Sequence, residues 1–431
     1  MQNNYKGWKH GLQRKMNFFI LVIVAVTPFM YFPNVISYSS LPKFLFLLLL
    51  TIVIAITMLL RKSKETYPVY REDKLLILYL LFLILSTIFS HNHLYSLIGY
   101  STRFEGLITL IIYIFVFFLA YRNFEFNEKF FRIFIITTIL LSLYGVFQYF
   151  GFDPMPKEVA RVIFVGRGHS TFGNPNFHGT YLTLVLPIAA YVYLKSGKVL
   201  YFIAAGSIYF SLITSFTRSG WVGSFFAFGI ILYYSFKTKF NKKYIVYLLV
   251  LLLVITVAME IESEGRVILR ALSLVEEAGD VLTQADGYEE GGANRIFIWE
   301  RVIPLIFERP LVGFGPETLG EVFSERYHDD IIAKYGEERI FDKAHNEYLH
   351  VAVTTGIPSL FVYLAFVFSI LKRAYMNRHK NPMIIPLMAS IIGYLIQAFF
   401  NLSIITVAYI YWVFLGILLR LSLDAEDREI A

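Results

Sequence analysis

The sequence contains no cysteine and carries little charge for its length. Only 16% of the 431 residues are charged, whereas 57% are apolar, and the mean hydropathy is +0.58. The lack of cysteine excludes disulfides and thiolate metal sites. A soluble domain of this length would carry considerably more charge, so the composition is typical of an integral membrane protein.

Apolar runs long enough to cross a bilayer recur along the chain. A helix needs about 20 residues to cross roughly 30 Å of hydrocarbon. Twelve runs approach this length, at 16–33, 42–60, 74–90, 105–121, 130–150, 177–194, 199–216, 220–236, 244–259, 347–371, 383–400 and 403–420. The first run ends in Tyr31-Phe32-Pro33 and lacks a small-residue cleavage site, which predicts a retained span. The sequence therefore predicts an all-α, polytopic membrane bundle with about 12 transmembrane helices.

Lysine and arginine are concentrated in alternate loops. These loops contain Arg61, Lys62, Lys64, Arg71 and Lys74; Arg122, Lys129 and Arg132; Lys195 and Lys198; Lys237, Lys239, Lys242 and Lys243; and Lys372, Arg373, Arg378 and Lys380. The positive-inside rule places these loops and both termini in the cytoplasm. The net charge of +7 then reflects orientation and not nucleic-acid binding, since no exposed basic domain is evident.

One long segment interrupts the pattern of short loops. Residues 260–344 are predicted to form a large external loop between an N-terminal transmembrane part (1–259, about nine spans) and a C-terminal part (345–431, about three spans and a short cytoplasmic tail). Within the loop, apolar residues at helical spacing from Val267 to Leu282 predict an amphipathic helix.

Two further features of this loop can be predicted from local sequence. The acidic, glycine-rich stretch 286–292 is typical of a hinge or lid. A second helix is predicted to begin with Asn294 as its N-cap and to bend or end at Pro304.

Three residues on the predicted outer side are candidates for chemistry. Arg218 lies in a short turn beside a helix N-terminus, where backbone N–H groups favour a phosphate. Arg295 also lies at a predicted helix start, and two arginines can bind a diphosphate bidentately. His345 lies where the loop re-enters the membrane, and imidazole is a natural proton acceptor at neutral pH. Taken singly, each is as readily a headgroup contact or a solvated polar residue; their joint occurrence favours a site.

Several motifs resemble those of the O-antigen ligase and polymerase superfamily of bacterial membrane proteins. In chain order they are the segment Gly166-Arg167-Gly168-His169-Ser170-Thr171-Phe172-Gly173-Asn174-Pro175-Asn176, the turn Thr217-Arg218-Ser219, Asn294-Arg295 with Trp299, Pro310 with Gly313-Phe314-Gly315, and Ala344-His345-Asn346. The resemblance covers roughly residues 160–400 by motif and the whole chain by topology.

This resemblance implies a metal-independent, inverting glycosyl transfer that needs no cofactor. The donor would be an undecaprenyl-diphosphate-linked glycan at the outer face of the bacterial cytoplasmic membrane. His345 would match the catalytic histidine, which deprotonates the acceptor hydroxyl, and Arg218 and Arg295 would match the arginines that hold the diphosphate.

Four residues are candidates for supporting roles. Arg167 is a further cation near the predicted site, and Trp299 shares a helix face with Arg295. Asn174 and Asn176 are expected either to cap the following span or to contact sugar, and capping is the more usual role for asparagine before a helix.

The sequence leaves the acceptor open. In this superfamily a ligase transfers the glycan to lipid A–core, a polymerase transfers it to a second lipid-linked repeat unit, and some relatives transfer it to protein. The order of arginine, arginine and histidine around a single large loop favours the ligase. A transporter of lipid-linked sugars is the alternative from another class, but the near absence of mid-span charges and of an internal repeat disfavours it.

Overall fold

The structure, a computed structural model, describes residues 2–33, 35, 37–60, 68–154, 164–238, 240–273 and 291–430, and in these residues all regular structure is helical. The helices are α1 (Gln2–Ala25), α2 (Ser40–Leu59), α3 (Arg71–Ile88), α4 (His93–Ile98), α5 (Leu107–Asn123), α6 (Glu128–Tyr149), α7 (Pro175–Ser196), α8 (Val199–Thr214), α9 (Arg218–Lys237), α10 (Lys242–Glu262), α11 (266–273), α12 (Gly291–Glu308), α13 (Leu319–Tyr335), α14 (Glu347–Thr355), α15 (Ile357–Asn377), α16 (Ile384–Ala398) and α17 (Ala408–Ile430). The predicted all-α fold is confirmed.

Seven of the described helices are long and apolar enough to cross a membrane, namely α2, α6, α7, α9, α10, α15 and α17. Three shorter apolar helices, α5, α8 and α16, coincide with further predicted runs. The chain is therefore a multi-pass membrane protein. Of the basic residues that predict its orientation, Arg61, Lys62, Lys64 and Lys239 lie outside the described residues.

The run predicted as one span at 347–371 is divided in two, which corrects the sequence prediction. Gly356 separates α14 from α15 and has a φ of 91°. A Cβ atom at Gly356 would lie 2.4 Å from the carbonyl oxygen of Leu311. The N–H group of Ile357 donates to the carbonyl of Pro310 at 2.8 Å. The break therefore arises because the backbone of Pro310 and Leu311 lies directly against this point, which an apolar run does not reveal.

Helices α7 and α17 form the centre of the bundle. The apolar windows of α7 and α17 are 94% and 89% buried, whereas those of α10 and α2 are only 17% and 28% buried. Helix α17 packs on α5 and α15, and α7 packs on α8, α9 and α16. The exposed apolar faces of α2 and α10 are thus the surfaces that would contact lipid.

Two glycines bring α9 and α16 close together. A Cβ atom at Gly223 would lie 2.5 Å from the carbonyl oxygen of Gly393, and one at Gly393 would lie 2.9 Å from the carbonyl oxygen of Gly223. Small residues permit such close approach of helix backbones in membranes. The crossing also positions Gln397 of α16, whose amide nitrogen donates to the Thr180 hydroxyl of α7 at 2.8 Å. It therefore fixes the end of α16 beside the start of α7.

The segment that the sequence predicts to be external contributes to a separate apolar core on the bundle. This core joins α12, α13 and α14 and includes Phe297, Ile298, Val302, Leu305, Phe323 and Val353. Helix α12 is described from Gly291, and Asn294 lies within this range with a φ of 65°. This left-handed value is neither helical nor the extended conformation of an N-cap, so the predicted N-cap is not found at Asn294. The helix also continues through Pro304 to Glu308, because Val302 and Leu305 are buried in this core on either side of the exposed turn that contains the proline.

The first predicted amphipathic helix is present over 266–273, where the structure describes it. The remainder of that predicted helix, up to Leu282, lies outside the described residues, and so do residues 286–290 of the predicted hinge or lid.

We predict that Gly223→Ala destabilises the protein and that Gly229→Ala does not. The first methyl group would collide with the backbone of α16, at a cost of about 1–3 kcal/mol for overpacking. Gly229 lies on the same helix, α9, and a Cβ atom there would meet no heavy atom within 4 Å. Thermal unfolding of the purified variants in detergent tests this prediction. Equal unfolding temperatures for the two variants would contradict the close α9–α16 crossing.

Candidate functional site

His345 lies in the short segment between α13 and α14, and the backbone on both sides of it is anchored. It has a φ of 50°, in the left-handed region that non-glycine residues rarely adopt. The carbonyl of Ala344 accepts a hydrogen bond from Trp299 Nε1 at 2.8 Å. Asn346 caps α14, since its side-chain oxygen accepts from the N–H of Tyr348 at 3.0 Å. The unfavourable backbone conformation is thus imposed by the neighbouring contacts.

The half-buried His345 side chain is surrounded mainly by positive charge. Burial lowers the pKa of His345 to about 4, together with the positive charge of Arg295 and the smaller effects of Arg103 and Lys343. The Asp342 carboxylate acts in the opposite direction. Arg295 is therefore near enough to His345 for its charge to act on the imidazole. At neutral pH the imidazole is uncharged and able to accept a proton.

Arg218 is the first residue of α9, which confirms its predicted position at a helix N-terminus. Its Nη1 donates to the hydroxyl of Ser273 in α11 at 3.0 Å. The preceding residue, Thr217, donates its hydroxyl to the carbonyl of Pro175 at 2.8 Å. Arg218, at the start of α9, therefore lies between the start of α7 and helix α11.

An arginine cavity lies beside Arg218. Its volume is about 410 Å³, and its lining residues are Arg167, Phe216, Arg266, Leu269, Arg270 and Ser273. Arg167 is held by a hydrogen bond from its Nε to the carbonyl of Ser215 at 3.0 Å. The guanidinium of Arg266 stacks on Phe216, 4.7 Å from the ring centre.

The arginines of this cavity influence one another. Burial, followed by the charges of Arg270, Arg218 and Arg266, lowers the pKa of Arg167 to about 10. Such a concentration of positive charge attracts anions. Sequence analysis identified Arg167 and Arg218 but missed Arg266 and Arg270. Their spacing of four residues, which places both on one face of a helix, was the available signal.

The segment after α16 connects the surroundings of His345 with the start of α7. Asn401 donates to the Thr180 hydroxyl of α7 at 3.1 Å. Two residues later, the N–H of Ser403 donates to the Glu347 carboxylate at 2.6 Å. Trp299 packs edge to face on Phe399, with ring centres 5.7 Å apart. The two groups of candidate residues therefore belong to the same end of the bundle.

Only one of the two candidate asparagines is a helix cap. The side chain of Asn174 caps α7 by accepting from the N–H of Asn176 at 2.8 Å, as predicted. Asn176 is itself the second residue of α7, so the prediction that it also caps the helix is wrong.

A layer of buried polar groups lies beneath His345. Lys343 forms an ion pair with Glu317, and their side chains are only 3% and 1% exposed. The Lys343 Nζ also lies 3.3 Å from His350 Nε2. Burial raises the pKa of Glu105 well above its ordinary value, and its carboxylate accepts from Tyr113 at 2.7 Å. These groups surround a small cavity of about 60 Å³, so the sequence hypothesis missed a charged layer that supports the histidine.

The fold and these groups define a polytopic helical membrane protein with a polar site at one end of the bundle. Residues 200–364 match the family model described as O-antigen ligase, which confirms the resemblance to the O-antigen ligase superfamily. The matched segment includes Arg218, Arg295 and His345, whereas Arg167 precedes it. At the level of the family, the match supports membrane glycan transfer of the ligase or polymerase type. No curated protein matches the chain.

We predict that Lys343→Met strongly destabilises the protein, because it leaves Glu317 buried without its cation. Breaking one side of a buried ion pair typically costs about 3–5 kcal/mol. The double substitution Lys343→Met with Glu317→Gln should recover part of this loss. The control is Arg326→Gln, which removes an exposed ion pair with Glu308 and should change stability by less than about 1 kcal/mol. Chemical unfolding in detergent measures all three, and a Lys343→Met variant as stable as the parent would contradict the prediction.

Proposed function

We propose that this protein is an O-antigen ligase-type glycosyltransferase. It transfers a glycan from an undecaprenyl-diphosphate carrier to an acceptor hydroxyl at the outer face of the bacterial cytoplasmic membrane. The family match to residues 200–364 supports the reaction class. The observation that carries the assignment of residues is the position of His345 in the anchored segment before α14, where the charge of Arg295 acts on its imidazole. The alternation of basic loops favours an external segment at 260–344 with both termini in the cytoplasm.

His345 acts as the general base in this proposal. Its imidazole takes the proton of the acceptor hydroxyl while the hydroxyl oxygen attacks the anomeric carbon from the side opposite the leaving group. The bond from that carbon to the phosphate oxygen breaks, and its electron pair leaves with the lipid diphosphate, so the configuration is inverted. A diphosphate bound at Arg295 would offset the charge that lowers the pKa of His345, which makes the base stronger when the donor is present.

Arg218 and Arg295 hold the diphosphate. Guanidinium groups bind phosphates bidentately and remain charged throughout the reaction. A diphosphate that is already stabilised by fixed cations needs neither a general acid nor a divalent metal to leave. Arg167 contributes to the same electrostatic field, since its pKa responds to Arg218.

A polymerase that uses a second lipid-linked repeat unit as acceptor is the alternative. The family match covers transfer of the ligase type and of the polymerase type alike, so only the acceptor that is extended separates the two.

We predict that His345→Ala reduces turnover by at least about 100-fold, the usual contribution of a general base, without weakening donor binding. Arg218→Ala should reduce both turnover and donor affinity because it removes a phosphate contact. The measurement is glycan transfer by protein reconstituted with an undecaprenyl-diphosphate-linked oligosaccharide, alongside donor binding to the same preparations. Arg326→Ala, in an exposed part of the external segment, is the control and should retain full activity. Turnover by His345→Ala close to that of the parent would rule out the proposed base.

The pH dependence of transfer should reveal the low pKa of His345. The uncharged form is the active one, so kcat/KM should stay constant from neutral pH down to about 5 and fall as the pH drops through about 4. The fall in kcat should occur at higher pH, because the bound diphosphate offsets the charge of Arg295. Initial rates from pH 3 to 8 test this, with tryptophan fluorescence to identify pH values at which the protein unfolds. A midpoint near 6.5 for kcat/KM would contradict the described surroundings of His345.

A further inference from the structure

We propose that Arg103 is a positioning residue for His345 and acts through Asp342. Arg103 lies in the loop between α4 and α5, far from His345 in sequence, and its Nε donates to Asp342 Oδ2 at 2.9 Å. Asp342 precedes His345 by three residues in the same anchored segment. The inference rests on the proposed function, in which His345 is the base.

The Arg103–Asp342 contact is a structural part of the site and not a loose surface ion pair. The two side chains are only 25% and 23% exposed. The loop of Arg103 is itself fixed, since the carbonyl of Tyr100 accepts from the N–H of Arg103 at 2.8 Å. The N–H of Tyr100 donates in turn to the Glu317 carboxylate at 3.2 Å. The same Glu317 forms the ion pair with Lys343. The loop therefore contacts Asp342 directly through Arg103, and it contacts Lys343 indirectly through Glu317.

Arg103 and Asp342 also have opposite effects on the pKa of the His345 imidazole. The charged and titratable groups that act on His345 are Arg295 from α12, Asp342 and Lys343 from its own segment, Arg103 from the α4–α5 loop and His350 from α14. Among them, the carboxylate of Asp342 is the group that favours a protonated imidazole. Arg103 occupies that carboxylate and opposes its effect. Without Arg103, Asp342 would stabilise the protonated form of His345 more strongly and raise its pKa, so the imidazole would lose its uncharged form at a higher pH.

Arg103 precedes residues 200–364, the segment that matches the O-antigen ligase family model. The inference therefore extends the functional site to the N-terminal part of the chain. The segments at both ends of α4 contact the same part of the chain, since Tyr100 in the loop between α4 and α5 donates to Glu317 at 3.2 Å and Asn92, the N-cap of α4, donates to Glu321 at 3.0 Å.

The test compares Arg103→Gln, Arg103→Lys and Asp342→Asn in the reconstituted transfer assay as a function of pH. Arg103→Gln removes a positive charge and should raise the midpoint of the kcat/KM profile by about 1 pH unit, whereas Asp342→Asn should lower it by a similar amount. The double variant should return the midpoint towards that of the parent. Arg103→Lys keeps the charge and should keep the midpoint, even if the altered geometry reduces kcat several-fold.

A purely structural role of Arg103 and Asp342 would not shift the kcat/KM midpoints of Arg103→Gln and Asp342→Asn in opposite directions. The control, Arg326→Gln, should leave both rate and midpoint unchanged. If Asp342→Asn fails to fold, the comparison of Arg103→Gln with Arg103→Lys still decides, because only the first changes charge. An inactive His345→Ala variant combined with unchanged midpoints for Arg103→Gln would overturn this inference alone. An active His345→Ala variant would overturn the proposed function instead.

Discussion

The position of His345 depends on the buried ion pair between Lys343 and Glu317. An isolated buried charge is strongly unfavourable, so Lys343 and Glu317 must remain paired. The pairing fixes the two chain segments that carry these residues relative to each other. The hydrogen bond from Trp299 to the carbonyl of Ala344 adds a second constraint from α12. Together they hold His345 in a backbone conformation that the isolated peptide would avoid. The position of His345 therefore depends on the charged residues that hold its segment in place.

In the arginine cavity, charges of the same sign lie close together, in contrast to the ion pair of Lys343 and Glu317. Two unit charges 4 Å apart interact by about 1 kcal/mol in water, and by more where the effective dielectric constant is lower. The mutual effect of Arg167, Arg218, Arg266 and Arg270 is visible in the lowered pKa of Arg167. The N-terminus of α9 lies beside these arginines, and its backbone N–H groups add positive potential there. An anion bound at this place would interact favourably with the arginines, which links this region to the proposed diphosphate substrate.

The sequence predicted the features that depend on local pattern and missed those that depend on distant contacts. Apolar runs gave the helices, and the Thr217-Arg218 turn correctly placed Arg218 at the start of α9. The break at Gly356 and the continuation of α12 through Pro304 depend on packing against other segments, so local signals were misleading there. The ion pair of Arg103 and Asp342 joins residues separated by 239 positions, and no periodicity or motif in a single sequence reveals such a pair.

The most direct test of the account is a competition experiment in proteoliposomes that contain the full-length protein, a purified undecaprenyl-diphosphate-linked oligosaccharide and EDTA. Lipid A–core and a second lipid-linked repeat unit are offered together as acceptors. The account predicts that glycan appears on an acceptor and that lipid diphosphate is released, with lipid A–core extended by a ligase and the repeat unit extended by a polymerase. If the donor remains intact with both acceptors but crosses the bilayer, the protein is a transporter and the account is wrong.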